Sequence, residues 1–87
     1  MSESGTAAVE AQAASARAVI ARLAGESLKT SWAVIYSHEP HRTFTVLHHS
    51  SVNPAVIQEL REQAVLALER FTYGFQLEVR AANVRSL

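Results

Sequence analysis

The spacing of apolar positions changes period along this chain, and each change marks an element. Over Thr6 to Ala24, Val9, Ala13, Ala16, Ile20 and Leu23 recur at helical spacing, with Val19 beside them. The segment is rich in Ala, the best helix former. Gly25 suits the residue that closes a helix. The spacing therefore predicts a helix over 6–24.

From Ser31 to Ser51 the period drops to that of strands. Two runs rich in Val, Ile, Thr, Phe, Tyr and Trp flank Glu39-Pro40-His41-Arg42. This is a β-hairpin. Pro40 presets φ for the second residue of a type I turn, so a four-residue connection over 39–42 is expected. That loop pairs His38 with Thr43, Tyr36 with Thr45, Val34 with Leu47 and Trp32 with His49. It places Ala33, Ile35, Ser37, Phe44, Val46 and His48 together on the other face. A loop of different parity would flip one strand against the other.

Val52-Asn53-Pro54 is a local helix start. Asn53 caps, Pro54 takes the first helical position and Val52 can pack on Ile57. Ile57, Leu60, Ala64, Ala67, Leu68 and Phe71 make the buried stripe, and Thr72-Tyr73-Gly74 ends the helix. Phe75, Leu77, Val79 and Ala81 then alternate with Gln76, Glu78 and Arg80, which predicts a half-buried strand over 75–81.

The order α-β-β-α-β implies an α+β fold, a two-layer α/β sandwich with both helices on one face of a three-stranded mixed sheet. The first hairpin strand is the more apolar and is expected in the centre, giving strand order 2-1-3. Ile35, Phe44, Val46, Phe75, Leu77 and Val79 should meet Ile20, Leu23, Leu60, Ala64, Leu68 and Phe71. Residues 1–5 are expected to be a disordered N-terminus, 6–82 a single α+β domain and 83–87 a C-terminal tail.

Composition narrows the function. A chain of 87 residues has a modest core, and small domains often gain stability by dimerising. It has no Cys, which excludes disulfides and thiolate metal sites. Net charge is zero, with 8 basic residues scattered along the chain. That offers no footprint for nucleic acid or an anionic membrane. The start of the chain lacks the basic and apolar regions of a secretory signal, and no apolar run is long enough to span a bilayer. A cytoplasmic protein is expected.

All 4 His fall in the hairpin region. His38, His41 and His49 are the candidate metal ligands, and with them a metal-binding protein or small hydrolase is one reading. His38-Glu39-Pro40-His41 lacks the HExxH spacing and sits in a turn, which holds no two imidazoles on one face. His48 and His49 are adjacent on a strand and point apart. There is no Gly-rich phosphate loop and no GxSxG elbow, so no catalytic residue and no cofactor are expected. A small RNA-binding domain is another reading, since exposed aromatics on a sheet can stack bases. The neutral charge and the lack of a GxxG loop weigh against it.

The favoured expectation is a non-enzymatic protein–protein interaction module. It would be a homodimeric regulator or inhibitor that binds another protein through its open sheet face. The expected interface is Trp32, Val34, Tyr36, Leu47 and His49, flanked by Gln76, Glu78 and Arg80. An apolar centre with a polar flank is the composition of such surfaces.

Overall fold

The computed structural model describes residues 2–82. The element order is α1 (Ser2–Ser27), β1 (Trp32–Ser37), β2 (Thr43–His48), α2 (Pro54–Leu68) and β3 (Gln76–Ala81). The fold is α+β, with two helices and a three-stranded mixed sheet. The expected tail, 83–87, lies outside the described residues.

Helix α1 is longer than its spacing predicts at both ends. It begins at Ser2, within the segment expected to be disordered, and runs through Gly25 to Ser27. Leu28 explains the far end. Its N–H donates to the Ala24 carbonyl at 2.7 Å and its side chain is buried. Burying Leu28 outweighs the weak helix propensity of Gly25. Val9, Ala13, Ala16, Ile20 and Ala24 form the buried stripe of α1.

Helix α2 begins where its local chemistry dictates. Asn53 Oδ1 accepts from the Ala55 N–H at 2.8 Å, and Pro54 follows as the first helical residue. Val52 and Ile57 both pack against the core. The helix ends at Leu68, sooner than the expected Phe71, because the next N–H groups turn to closer carbonyls: Arg70 to Ala67 and Phe71 to Leu68. Gly74, at φ +64°, then reverses the chain in a backbone region that glycine adopts without strain.

The strand order is β1-β2-β3, not the expected 2-1-3. β1 and β2 pair antiparallel, and β2 and β3 pair parallel, so β2 is central. Each strand pairs with its neighbour in sequence, the hairpin on one side and the helical crossover on the other. The central place matches burial: Phe44 and Val46 are both fully buried.

The hairpin register also differs from expectation. Its connection is 38–42, one residue longer than 39–42, and Val34 pairs with Val46, Tyr36 with Phe44 and Trp32 with His48. The change of parity turns β1 over. Val34, expected on the open face, is buried, and Ile35, expected in the core, is 51% exposed. Trp32 and Tyr36 also pack against the helix-side core cluster.

Arg42 is the cause. It occupies the left-handed region at φ 49°, a costly place for a residue with a side chain. Three contacts hold it there. Its N–H closes the loop onto His38 at 3.0 Å, and its carbonyl accepts from Gln76, also at 3.0 Å, starting the β2–β3 ladder. Its Nη1 donates to the Tyr73 carbonyl at 3.0 Å, with the guanidinium 5.4 Å from the Tyr73 ring centre.

The helix-side face of the sheet is then built in rows: Tyr36, Phe44 and Leu77; Val34, Val46 and Val79; Trp32, His48 and Ala81. Phe44 stands 4.7 Å from Tyr36 and 5.3 Å from Phe75, ring centre to ring centre. Ile20 and Leu60 bring the two helices onto this layer, both fully buried.

Candidate interaction surface

The histidines do not converge. Tyr36 Oη and His38 Nδ1 are 3.1 Å apart at the hairpin end, while His41 is exposed in the loop. His49 Nδ1 accepts from the Ser51 N–H at 3.1 Å and bonds Ser51 Oγ at 2.8 Å. His48 is buried at the rim of the core and donates from Nδ1 to the His49 carbonyl at 2.9 Å. Among the described residues no group of three His, Cys, Asp or Glu is placed to hold a metal ion.

The open face of the sheet carries Ala33, Ile35 and Ser37 from β1, Thr43, Thr45 and Leu47 from β2, and Gln76, Glu78 and Arg80 from β3. Of the expected interface, Leu47, Gln76, Glu78 and Arg80 lie here, and Trp32, Val34 and Tyr36 do not. His49 lies just beyond the end of β2. The charged side is organised: Thr45 Oγ1 donates to Glu78 Oε1 at 3.2 Å, and Arg80 Nε is 3.9 Å from the same oxygen. The β1 side has no charge, and Ile35 stands at its middle.

Backbone groups at the two edges decide what else this sheet can do. Gln76 donates to Arg42 and Ala82 donates to His48, so even-numbered residues of β2 bond β3. The odd-numbered residues of β2 therefore bond β1, and antiparallel alternation leaves the N–H and C=O groups of Trp32, Val34 and Tyr36 pointing away from the sheet. By the same reasoning Leu77, Val79 and Ala81 face outward on β3.

Each edge has one arginine upon it. Arg17 of α1 donates from Nη2 to the Val34 carbonyl at 3.1 Å, and Arg61 of α2 donates from Nη2 to the Val79 carbonyl at 3.3 Å. Val34, Val46 and Val79 form one row, so the two guanidinium groups stand at its opposite ends. Neither role has a signature in the sequence. The one visible hint is that Arg17 interrupts an Ala-rich segment.

Beside the β1 edge lies an apolar groove on α1, about 470 Å³, formed by Ala13, Ala14, Ala18 and Ala21 with Tyr36 and bounded by Glu10 and Arg17. Burial raises the Tyr36 hydroxyl above its ordinary pKa, with nearby Arg42 opposing the shift and Glu39 adding to it. On the other side, Val65 and Leu66 of α2 are exposed beside Arg61. Among the described residues no helix is long and apolar enough to cross a membrane.

Compared with protein-family models, with curated proteins and with solved structures, the chain finds no match. The functional reading therefore rests on this geometry.

Proposed function

We propose that this protein is a non-enzymatic protein–protein interaction module that self-associates on the β1 side of its sheet, and that as a dimer it acts as a regulator or inhibitor of another protein. Ile35 carries the reading: it is 51% exposed at the centre of an edge strand that has no charged residue. Exposed, uncharged edge strands pair readily, and soluble proteins usually blunt them with Lys, Pro or a bulge. The remaining open face, with Leu47 among Thr45, Gln76, Glu78 and Arg80, suits a mixed polar partner surface.

Light scattering and native mass spectrometry across a concentration series test this. The wild-type chain should show twice the monomer mass as concentration rises. Ile35→Lys should stay monomeric and folded, because the side chain is exposed and the lysine ammonium remains in water. A wild-type chain that is monomeric throughout the series excludes self-association.

A further inference from the structure

We infer that the self-association proposed above is an antiparallel pairing of β1 with β1 of a second copy, about a two-fold axis at Ile35, which joins the two sheets into one. This rests on the interaction-module reading and adds the occupant, the register and the residues.

The backbone allows this register. The outward groups belong to Trp32, Val34 and Tyr36, so bonded pairs across the new seam must join even-numbered residues. With the axis at Ile35, Val34 bonds Tyr36 of the other copy and the reverse. The two Ile35 residues then face each other as a non-bonded pair, where side chains approach most closely. The exposed side chain thus becomes covered by its own copy. A two-fold contact of this kind closes on itself and does not grow into a fibre.

Helix α1 supplies the second half of the fit. It runs antiparallel to β1: Gly25 lies against Trp32, Arg17 reaches Val34, and Val9 and Glu10 lie near Tyr36 and His38. Pairing two β1 strands brings two α1 helices side by side in opposite directions. Such close approach needs small side chains, and the face turned toward the seam is Ala14, Ala18 and Ala21. Charge also matches. Glu10 and Arg17 are seven residues apart on this same face, roughly two turns. They lie on opposite sides of the axis, so antiparallel helices direct each Arg17 toward the other copy's Glu10. Pairing requires Val34 to exchange the Arg17 guanidinium for the Tyr36 N–H of the second copy, and Arg17 finds Glu10 as its new partner. Arg17 is therefore a gate, capping the edge in the monomer and bridging the helices in the dimer.

The chain has no native Cys, so single cysteines report the geometry cleanly. Ile35→Cys should form a dimer disulfide readily under mild oxidation, because non-bonded antiparallel partners sit about 4.5 Å apart at Cα, within disulfide range. Leu47→Cys, one strand inward, should not. In the wild-type chain, amide exchange at Val34 and Tyr36 should slow by about tenfold or more between dilute and concentrated protein. Glu10→Arg should weaken the dimer, and Glu10→Arg with Arg17→Glu should recover it. A dimer that cross-links through Leu47→Cys while the Val34 and Tyr36 amides keep exchanging fast is a face-to-face stack. That result retains self-association and overturns the edge pairing. Equal cross-linking of Ile35→Cys and of Gln63→Cys on exposed α2 also overturns it, as collision without a seam. A chain that never dimerises removes both this inference and the reading beneath it.

Discussion

The two edges of the sheet are built alike and defended differently. Each exposes alternate backbone groups, and each has one central carbonyl capped by an arginine from the overlying helix, Arg17 on β1 and Arg61 on β3. On β3 the open-face side chains are Gln76, Glu78 and Arg80, two of them charged. An incoming strand would have to desolvate that pair or place its own side chains around it, which is how edge charge deters pairing. On β1 the equivalent positions are Ala33, Ile35 and Ser37. Nothing on β1 itself resists a second strand, and among the described residues Arg17 is the one guard. The difference teaches that a capped carbonyl and a charged strand are separate protections. β1 has only the one that a side-chain rotation removes.

The largest expected effect tests whether the two edges belong to one cooperative unit. Phe44 lies on the central strand, fully buried, with Tyr36 on one side and Phe75 on the other. Phe44→Ala should cost about 3–5 kcal/mol, a large part of the stability of so small a domain. Urea unfolding should shift to a lower midpoint in a single transition, with amide protection falling on β1 and β3 together. Loss of protection at β1 with β3 intact would show two independently stable halves, and the comparison of edges would then concern two separate units.

The reasons the edges were only partly legible are physical. The outward face of β3 could be read directly, because Gln76, Glu78 and Arg80 alternate with apolar residues and only one register buries the right set. Helix α2 could be read from Asn53 and Pro54, whose chemistry acts over a few residues. β1 offers no such contrast. Trp32, Val34 and Tyr36 are apolar, and so are Ala33 and Ile35 on the opposite face, so the pattern fits either orientation. Only the loop length decides, and the five-residue loop ends at Arg42, which stands at positive φ and bonds Tyr73, 31 residues away. The strand order was hidden for a related reason: overall apolarity ranked β1 first, whereas pairing follows chain neighbours. For the candidate surface, β3's polar residues and Leu47 were legible. Ile35 and the two arginine caps depend on the register and strand order, so they were not.

The two caps themselves provide a smaller test. Arg17 is part-buried where it meets Val34, and Arg61 is exposed where it meets Val79. Under dilute, monomeric conditions Arg17→Ala should cost about 0.5–1.5 kcal/mol, as a hydrogen bond of ordinary net worth is lost. Arg61→Ala should fall within about 0.5 kcal/mol of wild type, as surface changes usually do. Denaturant midpoints of the two variants, measured side by side, check the order. Equal effects would mean that the caps are equivalent and that only strand charge distinguishes the edges.

The smallest effect originates on β1, at Tyr36, and appears at alkaline pH. Tyr36 is partly buried on the helix side of β1, and burial raises its pKa above the ordinary value of 10.0, against the opposing pull of Arg42 and with help from Glu39. The folded chain therefore holds its phenol proton more tightly than the unfolded chain does. Stability from this group is fully present below the unfolded pKa and is lost as pH rises through the folded one. Above about pH 10 the wild-type protein should lose stability that Tyr36→Phe retains, since phenylalanine has no proton to release. Urea midpoints of both proteins at pH 8 and again near pH 11 check this, with the difference between them opening only at the higher pH. Parallel decline of the two proteins would place the alkaline weakness elsewhere and leave the β1 side no more sensitive than its counterpart.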